Sequence, residues 1–415
     1  MHNIALLRDN KEEYEQKIGR KVKGFSLNKL LKLDAQNLKL KFEYDQLRSM
    51  QNKVSKEIAA KKRAGEKTES LISQMRQVAT EIKEVSLKLS DISPKLQKHS
   101  SMVPNTPHNS VPKGHSCSEN RVIKHWGKKR EFGFAKRDFL EIAQKNKMVS
   151  FKEGAKITGS GFPVYRGFGA RLERALINFM LDFHTKKQGF TELSTPFVVN
   201  RTSMIGTGQL PKMEDDMYHV DIDDMFLIPT AEVPLTNFFR DRILDEFDFP
   251  IKVCGYSPCF RREAGSYGKE TKGLKRLHQF NKVELVNIAH PQDSYSQLSA
   301  LTQDAESIVQ ALALPYRIVE LCTGDLSFAS SKTFDIEVFA PASCDYLEIS
   351  SISNFEDFQA RRINIRFRNK QGKLTFAHTL NGSGVATPRL YIAILENYQN
   401  QDGTISVPDA LKPYF

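Results

Sequence analysis

The N-terminal quarter of the chain repeats apolar side chains at alternating spacings of three and four residues. One series runs from Leu30 to Ile58 and a second from Leu71 to Ile92, with only "AKKRAGEKTE" and its flanks between them. This spacing is the a/d seam through which two helices supercoil. The connector is short and contains Gly65 as a helix stop, which favours a helix folding back on its neighbour over a coiled coil between chains. We predict an antiparallel helical hairpin over about 27–97.

A different pattern begins after "HSSMVPNTPHNSVPKGHS" (99–116), which lacks periodicity and is predicted to be a linker or a boundary strap. Beyond it, helical periodicity marks "GARLERALINFMLDFHTKKQG", "DSYSQLSALTQDAESIVQALAL" and "TPRLYIAILENYQN". Strand-like segments are "FTELSTPFVV", "MFLIPTAEV", "IKVCGYSPCF", "HQFNKVELVNI", "RIVELCT", "FDIEVFA" and "DYLEISSISN". Because strands outnumber helices and adjoin in pairs, an antiparallel sheet flanked by helices is favoured over a doubly wound parallel sheet. We predict an α+β chain with an N-terminal domain at 1–110 and a second domain at 111–415.

Composition narrows the class of protein. The chain has 415 residues, 40% hydrophobic and 27% charged, as expected for a soluble protein of two or three domains. It has no apolar run of about eighteen residues, so a membrane-spanning helix is not expected. The first residues, "MHNIALLRDNKEEYEQK", become charged too early for a secretory signal. Five cysteines without a CxxC pair predict a reducing cytoplasm and argue against a structural zinc site.

Positive charge is concentrated at the predicted tip of the hairpin. The formal net charge is +12, and Lys61, Lys62, Arg63 and Lys67 cluster between the two seams. Such a cluster is consistent with an ordinary solvated helix surface. It is equally suited to a long phosphate backbone, which a projecting basic arm can reach. The residues alone leave both interpretations open.

The stretch "CFRREAGSYGKETKGLKRLHQFNKVEL" reads as two strands joined by a loop far longer than a hairpin turn needs. The chain has neither GxxxxGK[ST] nor GxGxxG, so side chains must hold the phosphates of any bound nucleotide. Guanidinium groups are suited to phosphate. Candidate cations are Arg261, Arg262, Lys269, Lys272, Lys275 and Arg276 in this stretch, and Arg389 at the start of the last helix.

Acidic and aromatic side chains accompany these cations. Glu232, Glu284 and Glu348 lie in strand-like segments, where carboxylates near phosphates are expected to hold Mg²⁺. Phe280 is a candidate to stack on a purine. Each residue taken singly is explained as well by an Arg–Glu pair across strands or by a core phenylalanine. Together, beside a long basic loop, they favour a nucleotide site.

These segments carry a family resemblance. "FRREAGSYGKETKGLKRLHQFNKVE" resembles motif 2 of class II aminoacyl-tRNA synthetases and, in detail, that of the seryl-tRNA synthetase family. "YRGFGARLERALINFMLDFHTKKQGFTELSTPFVVN" resembles motif 1, with Pro196 as its proline, and "GVATPRLYIAILE" resembles motif 3, with Arg389 as its arginine. "PTAEVPLTN", "LEISSISNFEDFQARR", "LNGSG" and the two-helix arm are similar to the same family, so the resemblance covers essentially the whole chain.

The resemblance implies roles for individual residues. Arg261 would hold the α-phosphate and the serine carboxylate, Glu263 would meet the adenine edge, and Phe280 and Arg389 would cover the two adenine faces. The implied catalytic residues are Arg261, Glu263 and Arg389. The implied ATP-binding residues are Arg261, Arg262, Glu263, Phe280, Glu348, Ile349, Ser350, Ser351 and Arg389, of which Glu348 and Ser351 would also bind Mg²⁺. The implied serine-binding residues are Thr230, Ala231, Glu232, Arg261, Glu284 and Ser383.

Serine offers little apolar area, so a pocket must reject alanine by leaving buried polar groups unpaired. Glu284 and Ser383 are candidates for the serine hydroxyl, and Thr230 and Glu232 for its ammonium. The sequence leaves open which carboxylate takes which group.

The resemblance implies a cytoplasmic homodimer that uses ATP and Mg²⁺ to activate L-serine and transfers it to tRNA(Ser), with the arm (Lys61, Lys62, Arg63 and Lys67) binding the tRNA. Charging of tRNA(Sec) is left open. Two other classes are weighed against it: a paralogue that activates a small amino acid for a carrier protein, and a non-enzymatic RNA-binding protein. The chain departs from many relatives at Pro388, where glycine is common, and at Lys269, where arginine is common.

Overall fold

The computed structural model describes residues 1–264 and 273–415, so Lys269 and Lys272 lie outside the described residues. The chain divides into two compact units. The first comprises His2–Gly19 and Lys23–Val103, and the second comprises Met1, Arg20–Val22 and Pro104–Phe415. Within the described ranges, no helix combines the length and the apolar character that a membrane span requires.

The helices of the described residues are α1 (Ile4–Asp9), α2 (Lys11–Gly19), α3 (Asn28–Arg63), α4 (Glu69–Ser101), α5 (Phe139–Lys145), α6 (Phe151–Thr158), α7 (Phe168–Gln188), α8 (Arg201–Thr207), α9 (Glu232–Asn237), α10 (Ser294–Ala311), α11 (Phe358–Ile363) and α12 (Thr387–Asn397). The strands are β1 (Arg121–Trp126), β2 (Val149–Ser150), β3 (Val164–Tyr165), β4 (Thr191–Glu192), β5 (Val198–Asn200), β6 (His219–Val220), β7 (Met225–Leu227), β8 (Ile243–Asp245), β9 (Ile251–Phe260), β10 (Gln279–Ala289), β11 (Tyr316–Glu320), β12 (Lys332–Ala340), β13 (Asp345–Asn354), β14 (Arg366–Arg368), β15 (Leu374–Phe376) and β16 (His378–Ala386).

Helices α3 and α4 form the predicted hairpin within one chain. Helix α3 has 36 residues, which corresponds to a length of about 54 Å. The chain reverses at Gly65, whose φ of 72° is the left-handed conformation that glycine adopts without strain. Val54 of α3 and Val78 and Val85 of α4 are buried in the seam. The long helical arm is therefore confirmed.

Two polar side chains are buried in this seam. Asn37 accepts a hydrogen bond from Ser93 Oγ at 3.1 Å, and Asp34 accepts one from Arg8 Nε at 2.8 Å. A single buried polar pair fixes the axial register of two helices, since any slip leaves it unpaired. At the open end, α1 and α2, which were not predicted, help enclose a small apolar core with α3 and α4. Its buried members are Leu7, Ile18, Leu27, Leu30, Leu96 and Val103.

An eight-stranded sheet dominates the second unit. Its strand order is β1-β11-β12-β13-β16-β10-β9-β4. Every neighbouring pair is antiparallel except β4 with β9. The main core contains residues of α7, α10 and α12 together with the inward side chains of the sheet. The α+β class and the antiparallel sheet are confirmed, with one short parallel strand at its edge.

Three predicted segments differ from the structure. The strand predicted over 225–233 ends as β7 at Leu227, and α9 begins at Glu232. The strand predicted over 190–199 is split into β4 and β5, because proline at 196 cannot donate to a sheet ladder. The segment 99–116, predicted to be an aperiodic linker or boundary strap, begins inside α4, which continues to Ser101, and packs like a strap beyond it, since Val111 is buried.

Candidate active site

A cavity of about 700 Å³ opens on the sheet of the second unit. Its walls come from the ends of β9 and β10, from β13 and β16, from the turn before α9 and from the start of α12. Predicted site residues that line it are Thr230, Glu232, Arg261, Glu263, Phe280, Glu284, Glu348, Ile349, Ser351, Ser383 and Arg389. Ala231, Arg262 and Ser350 are not among its lining residues in the described part of the chain.

Strand alternation explains how β10 contributes to the cavity. Phe280, Lys282 and Glu284 are two residues apart and share one face, which lines the cavity. The intervening Val283 and the following Leu285 are fully buried in the main core. The strand therefore supplies an aromatic, a cation and a carboxylate in a row.

Arg261 is fixed where β9 ends. Its backbone N donates to His278 O at 2.9 Å, which closes the two strands together. Its guanidinium carbon lies 5.1 Å from the centroid of the Phe280 ring, within the range of a cation–π contact. Its Nε donates to Pro229 O at 3.4 Å. The guanidinium thus lies in the cavity against the aromatic ring predicted to stack on adenine.

The loop side of the cavity carries Glu263 and Arg276, which form an ion pair. Glu263 has a φ of 53°, a left-handed conformation that is uncommon for a residue with a Cβ. Shortly after β9 ends, this conformation turns the backbone and places the carboxylate at the cavity wall.

The deepest part of the cavity holds two carboxylates and one lysine. Lys282 forms an ion pair with Glu284, and its Nζ lies 2.9 Å from Thr230 Oγ1. Glu232 accepts a hydrogen bond of 2.6 Å from Gln359 Nε2. Burial, together with the nearby charge of Glu284, raises the pKa of Glu232 to about 7. If all three groups are ionised, this cluster carries a net negative charge that an ammonium group would neutralise.

Acidic and basic groups also meet at β13 and α12. Arg389 Nη1 donates to Glu348 O at 2.9 Å and lies 3.3 Å from Glu348 Oε2, and its Nε donates to Lys275 O at 3.3 Å. Asp335 on β12 is directly opposite Ser351 in the ladder and is buried. Burial and the charge of Glu348 raise the pKa of Asp335 well above its usual range.

The donor set here suits a cation that draws most of its ligands from a nucleotide. Glu348 supplies a carboxylate and Ser351 a hydroxyl, both lining the cavity. In the described ranges, no cluster of three or more His, Cys, Asp or Glu side chains could hold a metal by itself. Mg²⁺ is commonly bound by one or two carboxylates plus phosphate oxygens and water. The residues present fit Mg²⁺ bound with ATP.

The chain is similar to known proteins along its whole length. Residues 1–107 match the family model described as Seryl-tRNA synthetase N-terminal domain, and residues 216–398 match the tRNA synthetase class II core domain (G, H, P, S and T). The chain is 48% identical over 414 residues to the Serine--tRNA ligase of Pelotomaculum thermopropionicum, covering 100% of this chain and 98% of the relative. Over 414 residues it is 50% identical to that of Caldicellulosiruptor saccharolyticus, with the same coverage.

The chain belongs to the seryl-tRNA synthetase family. Among solved structures, the seryl-tRNA synthetase of Pyrococcus horikoshii complexed with ATP superposes with a TM-score of 0.90 at 34% identity, covering 100% of this chain and 98% of that one. The cytoplasmic Serine-tRNA ligase of Naegleria fowleri in complex with AMP has a TM-score of 0.85 at 27% identity, covering 100% and 97%. The predicted recognition and fold class are therefore confirmed.

The sequence analysis did not identify several polar residues at this cavity. Lys282 and Asn381 line it, and Gln209 and Gln359 contact Glu232 from other segments. Alternation along "FNKVE" could have found Lys282, because it lies two residues from Glu284 on the same strand. No local signal marks the two glutamines, which reach Glu232 only through the tertiary fold.

Proposed function

We propose that this chain is a serine--tRNA ligase. It activates L-serine with ATP, forming seryl-adenylate and releasing pyrophosphate, and then transfers the seryl group to the 3′ end of tRNA(Ser). The observation that carries this proposal is that Arg261 and Arg389 line the same cavity as Glu232, Glu284 and Glu348. That cavity lies in a chain similar along its whole length to proteins named Serine--tRNA ligase.

The first step needs positioning and charge neutralisation, with no nucleophilic side chain. The serine carboxylate attacks the α-phosphorus in line with the departing pyrophosphate. Arg261 holds both the α-phosphate and the serine carboxylate, so its fixed charge stabilises the charge that develops on phosphorus. Phe280 and Arg389 enclose the adenine, and Glu263 accepts from its edge. Ile349 and Ser350, with Arg262, complete the segments that contact ATP.

Serine is recognised by the buried cluster around Glu232 and Glu284. Lys282 already neutralises Glu284 through their ion pair. We therefore assign the serine ammonium to Glu232 and Thr230, and the serine hydroxyl to Glu284 and Ser383. Alanine, which lacks the hydroxyl, would make no hydrogen bond to Glu284 or Ser383, and the loss of that interaction is what discriminates against it. Ala231 shapes the turn that carries Thr230 and Glu232.

Glu348 and Ser351 would hold Mg²⁺ when ATP is bound. When bound, the ion would neutralise negative charge on the phosphate oxygens. Glu348 and Arg389 form an ion pair with each other in the structure. When ATP and Mg²⁺ bind, this pair would separate, so that Glu348 contacts the ion and Arg389 contacts the nucleotide.

The two predicted domains have different functions. Residues 1–110 form the tRNA-binding domain and 111–415 the catalytic domain. The basic tip of the α3–α4 hairpin (Lys61, Lys62, Arg63 and Lys67) contacts the phosphate backbone of tRNA(Ser). By family resemblance the active form is a homodimer. The five cysteines, all within the described ranges and all free, are consistent with the reducing cytoplasm.

Serine-dependent ATP–pyrophosphate exchange tests the proposal. The wild-type chain should exchange with serine and not with alanine, and should then charge tRNA(Ser). Arg261→Ala should lower the exchange rate by about 10²–10³-fold, the usual effect of removing one charge-stabilising donor. Arg242→Ala is a matched control, because Arg242 is an exposed arginine that does not line the cavity in the described residues. Exchange with another amino acid and none with serine would refute the proposal.

A further inference from the structure

Glu173 lies in the first half of α7 and is only 6% exposed. Its Oε1 accepts a hydrogen bond of 2.9 Å from Asn281 Nδ2 and a second from Thr387 Oγ1. Thr387 Oγ1 also lies 3.1 Å from Asn281 O. One buried carboxyl oxygen thus ties together α7, β10 and the start of α12.

The two donors are neighbours of the residues assigned to adenine. Asn281 directly follows Phe280 on β10, and Thr387 precedes Arg389 by two residues at the beginning of α12. Asn281 is held further by Tyr256, whose hydroxyl donates to its Oδ1 at 3.0 Å. The backbone segments that carry the two adenine-facing side chains are therefore linked through Glu173.

A carboxyl is an unfavourable group to bury at this position. Burial raises the pKa of Glu173 above its ordinary range. Its Oε2 has no hydrogen-bond partner among the residues that the structure describes. An apolar side chain of similar length would avoid both penalties. Retaining a carboxyl here is explained if its contacts serve the cavity as well as the fold.

We propose that Glu173 is a positioning residue of the ATP site, which sets the separation of Phe280 and Arg389 through Asn281 and Thr387. This inference rests on the proposed placement of adenine between those two side chains. A base stacks on an aromatic or guanidinium plane over only a narrow range of separations, so a small shift of either backbone segment weakens nucleotide binding.

The test compares two substitutions of Glu173 in the full chain. Glu173→Met removes the acceptor of Asn281 Nδ2 and leaves Thr387 Oγ1 only its contact with Asn281 O. We expect it to raise the KM for ATP about tenfold, as for the removal of one buried hydrogen bond. The KM values for serine and pyrophosphate should stay within about twofold of wild type, since neither ligand uses the adenine contacts. Glu173→Gln keeps an acceptor oxygen and should restore the KM for ATP.

A second variant covers the case in which Glu173→Met does not fold. Thr387→Val removes only the hydroxyl that donates to Glu173 and should raise the KM for ATP in the same selective way. Thr302→Val is its matched control. Thr302 is a buried threonine on α10 whose Oγ1 donates to Leu298 O at 2.8 Å, and the described residues that line the cavity do not include it.

The outcomes separate this inference from the proposed function. A selective rise for ATP in Glu173→Met or Thr387→Val, with recovery in Glu173→Gln, supports the positioning role. An unchanged KM for ATP, or a parallel rise for ATP, serine and pyrophosphate, overturns it. Absence of serine-dependent exchange in the wild type would overturn the proposed function instead. Calorimetric titration with ATP alone, which needs no serine, would then still decide the role of Glu173.

Discussion

The hairpin and the cavity bury polar groups in opposite ways. In the hairpin, Asn37 and Ser93 satisfy each other at 3.1 Å, and the other buried seam residues are mainly apolar. In the cavity, Lys282, Glu284 and Glu232 are all buried, and the pKa of Glu232 is raised to about 7. The hairpin uses its buried polarity to fix register, whereas the buried groups of the cavity carry a net negative charge when all three are ionised.

This difference predicts that mutations can impair the hairpin without changing the cavity, and the cavity without changing the hairpin. The hairpin is held by repeated local contacts, so shortening it should leave the sheet intact. The cavity depends on side chains brought from distant segments, so single changes there should alter binding without altering the hairpin. Changes to the hairpin, to Glu232 and to the basic tip test that separation.

The largest effect is expected from shortening the hairpin. Replacing Lys41 to Leu89 by a short Gly-Ser linker retains the Asn37–Ser93 pair and the core around Leu27. Charging of tRNA(Ser) should fall by about a hundredfold or more, because phosphate contacts supply much of the affinity for nucleic acids. Serine-dependent pyrophosphate exchange should stay within about twofold of wild type.

The control for this deletion is the thermal midpoint of the shortened chain beside its exchange rate. Equal loss of exchange and charging would show that the hairpin supports the cavity directly. Unchanged transfer of the activated amino acid would favour a paralogue that loads a carrier protein.

An intermediate effect is expected from the protonation of Glu232. Its folded-state pKa of about 7 lies above the ordinary value, so the carboxyl gains a proton as pH falls through 7. If Glu232 binds the serine ammonium, the KM for serine should rise about tenfold from pH 8 to pH 6 while the KM for ATP changes little. Glu232→Gln should have a higher KM for serine that no longer depends on pH in this range.

The pH dependence of the stability difference between wild type and Glu232→Gln has a predictable sign. A carboxyl with a raised folded-state pKa favours the fold below its unfolded pKa and loses that contribution as pH rises through about 7. Urea unfolding should therefore show wild type losing stability relative to Glu232→Gln between pH 5 and pH 8. A pH-independent difference would place the ionised form of Glu232 in a better-compensated environment than the structure indicates.

The smallest effect is expected from the tip of the hairpin. Neutralising Lys62, Arg63 and Lys67, which are exposed, should raise the KM for tRNA(Ser) several-fold. The salt dependence of tRNA binding should become shallower by about one unit of slope for each phosphate that the tip no longer neutralises. Exchange should be unaffected. Neutralising the exposed Lys370 and Lys373 of the second unit is the matched control, and an equal effect there would assign the tip to an ordinary solvated surface.

The same contrast explains what could be predicted from the sequence. The hairpin follows from a local repeat, and β9 and β13 were predicted with the bounds that the structure has, because alternation is also local. The turn at Thr230 could not be predicted in this way, because the apolar run that precedes it continues the pattern of a strand. Only the tertiary fold shows that β7 ends at Leu227 and that α9 begins at Glu232. For a similar reason the sequence could not decide between a linker and a packed strap for residues 104–116. Their hydrogen-bond partners, such as Phe328 and Ser331, are more than two hundred residues away.

The cavity residues likewise fall into those that local sequence could identify and those that only tertiary contacts define. Arg261, Glu284, Glu348 and Arg389 could be singled out because charged groups in or beside strand-like segments are unusual. The contacts of Glu173 arise only when α7, β10 and α12 meet, and nothing in its own neighbourhood distinguishes it from a solvent-facing glutamate of an amphipathic helix.

The guanidinium of Arg261 resting against Phe280 has one more consequence. The guanidinium carbon lies 5.1 Å from the ring centroid, so a base that stacks on Phe280 as proposed would share that face with the guanidinium or move it aside. If ATP binds as proposed, the charge of its phosphates would attract the guanidinium away from the ring, whereas a nucleoside without phosphates would supply no such charge. Under that arrangement the aromatic ring would favour bases that carry phosphates over uncharged purines.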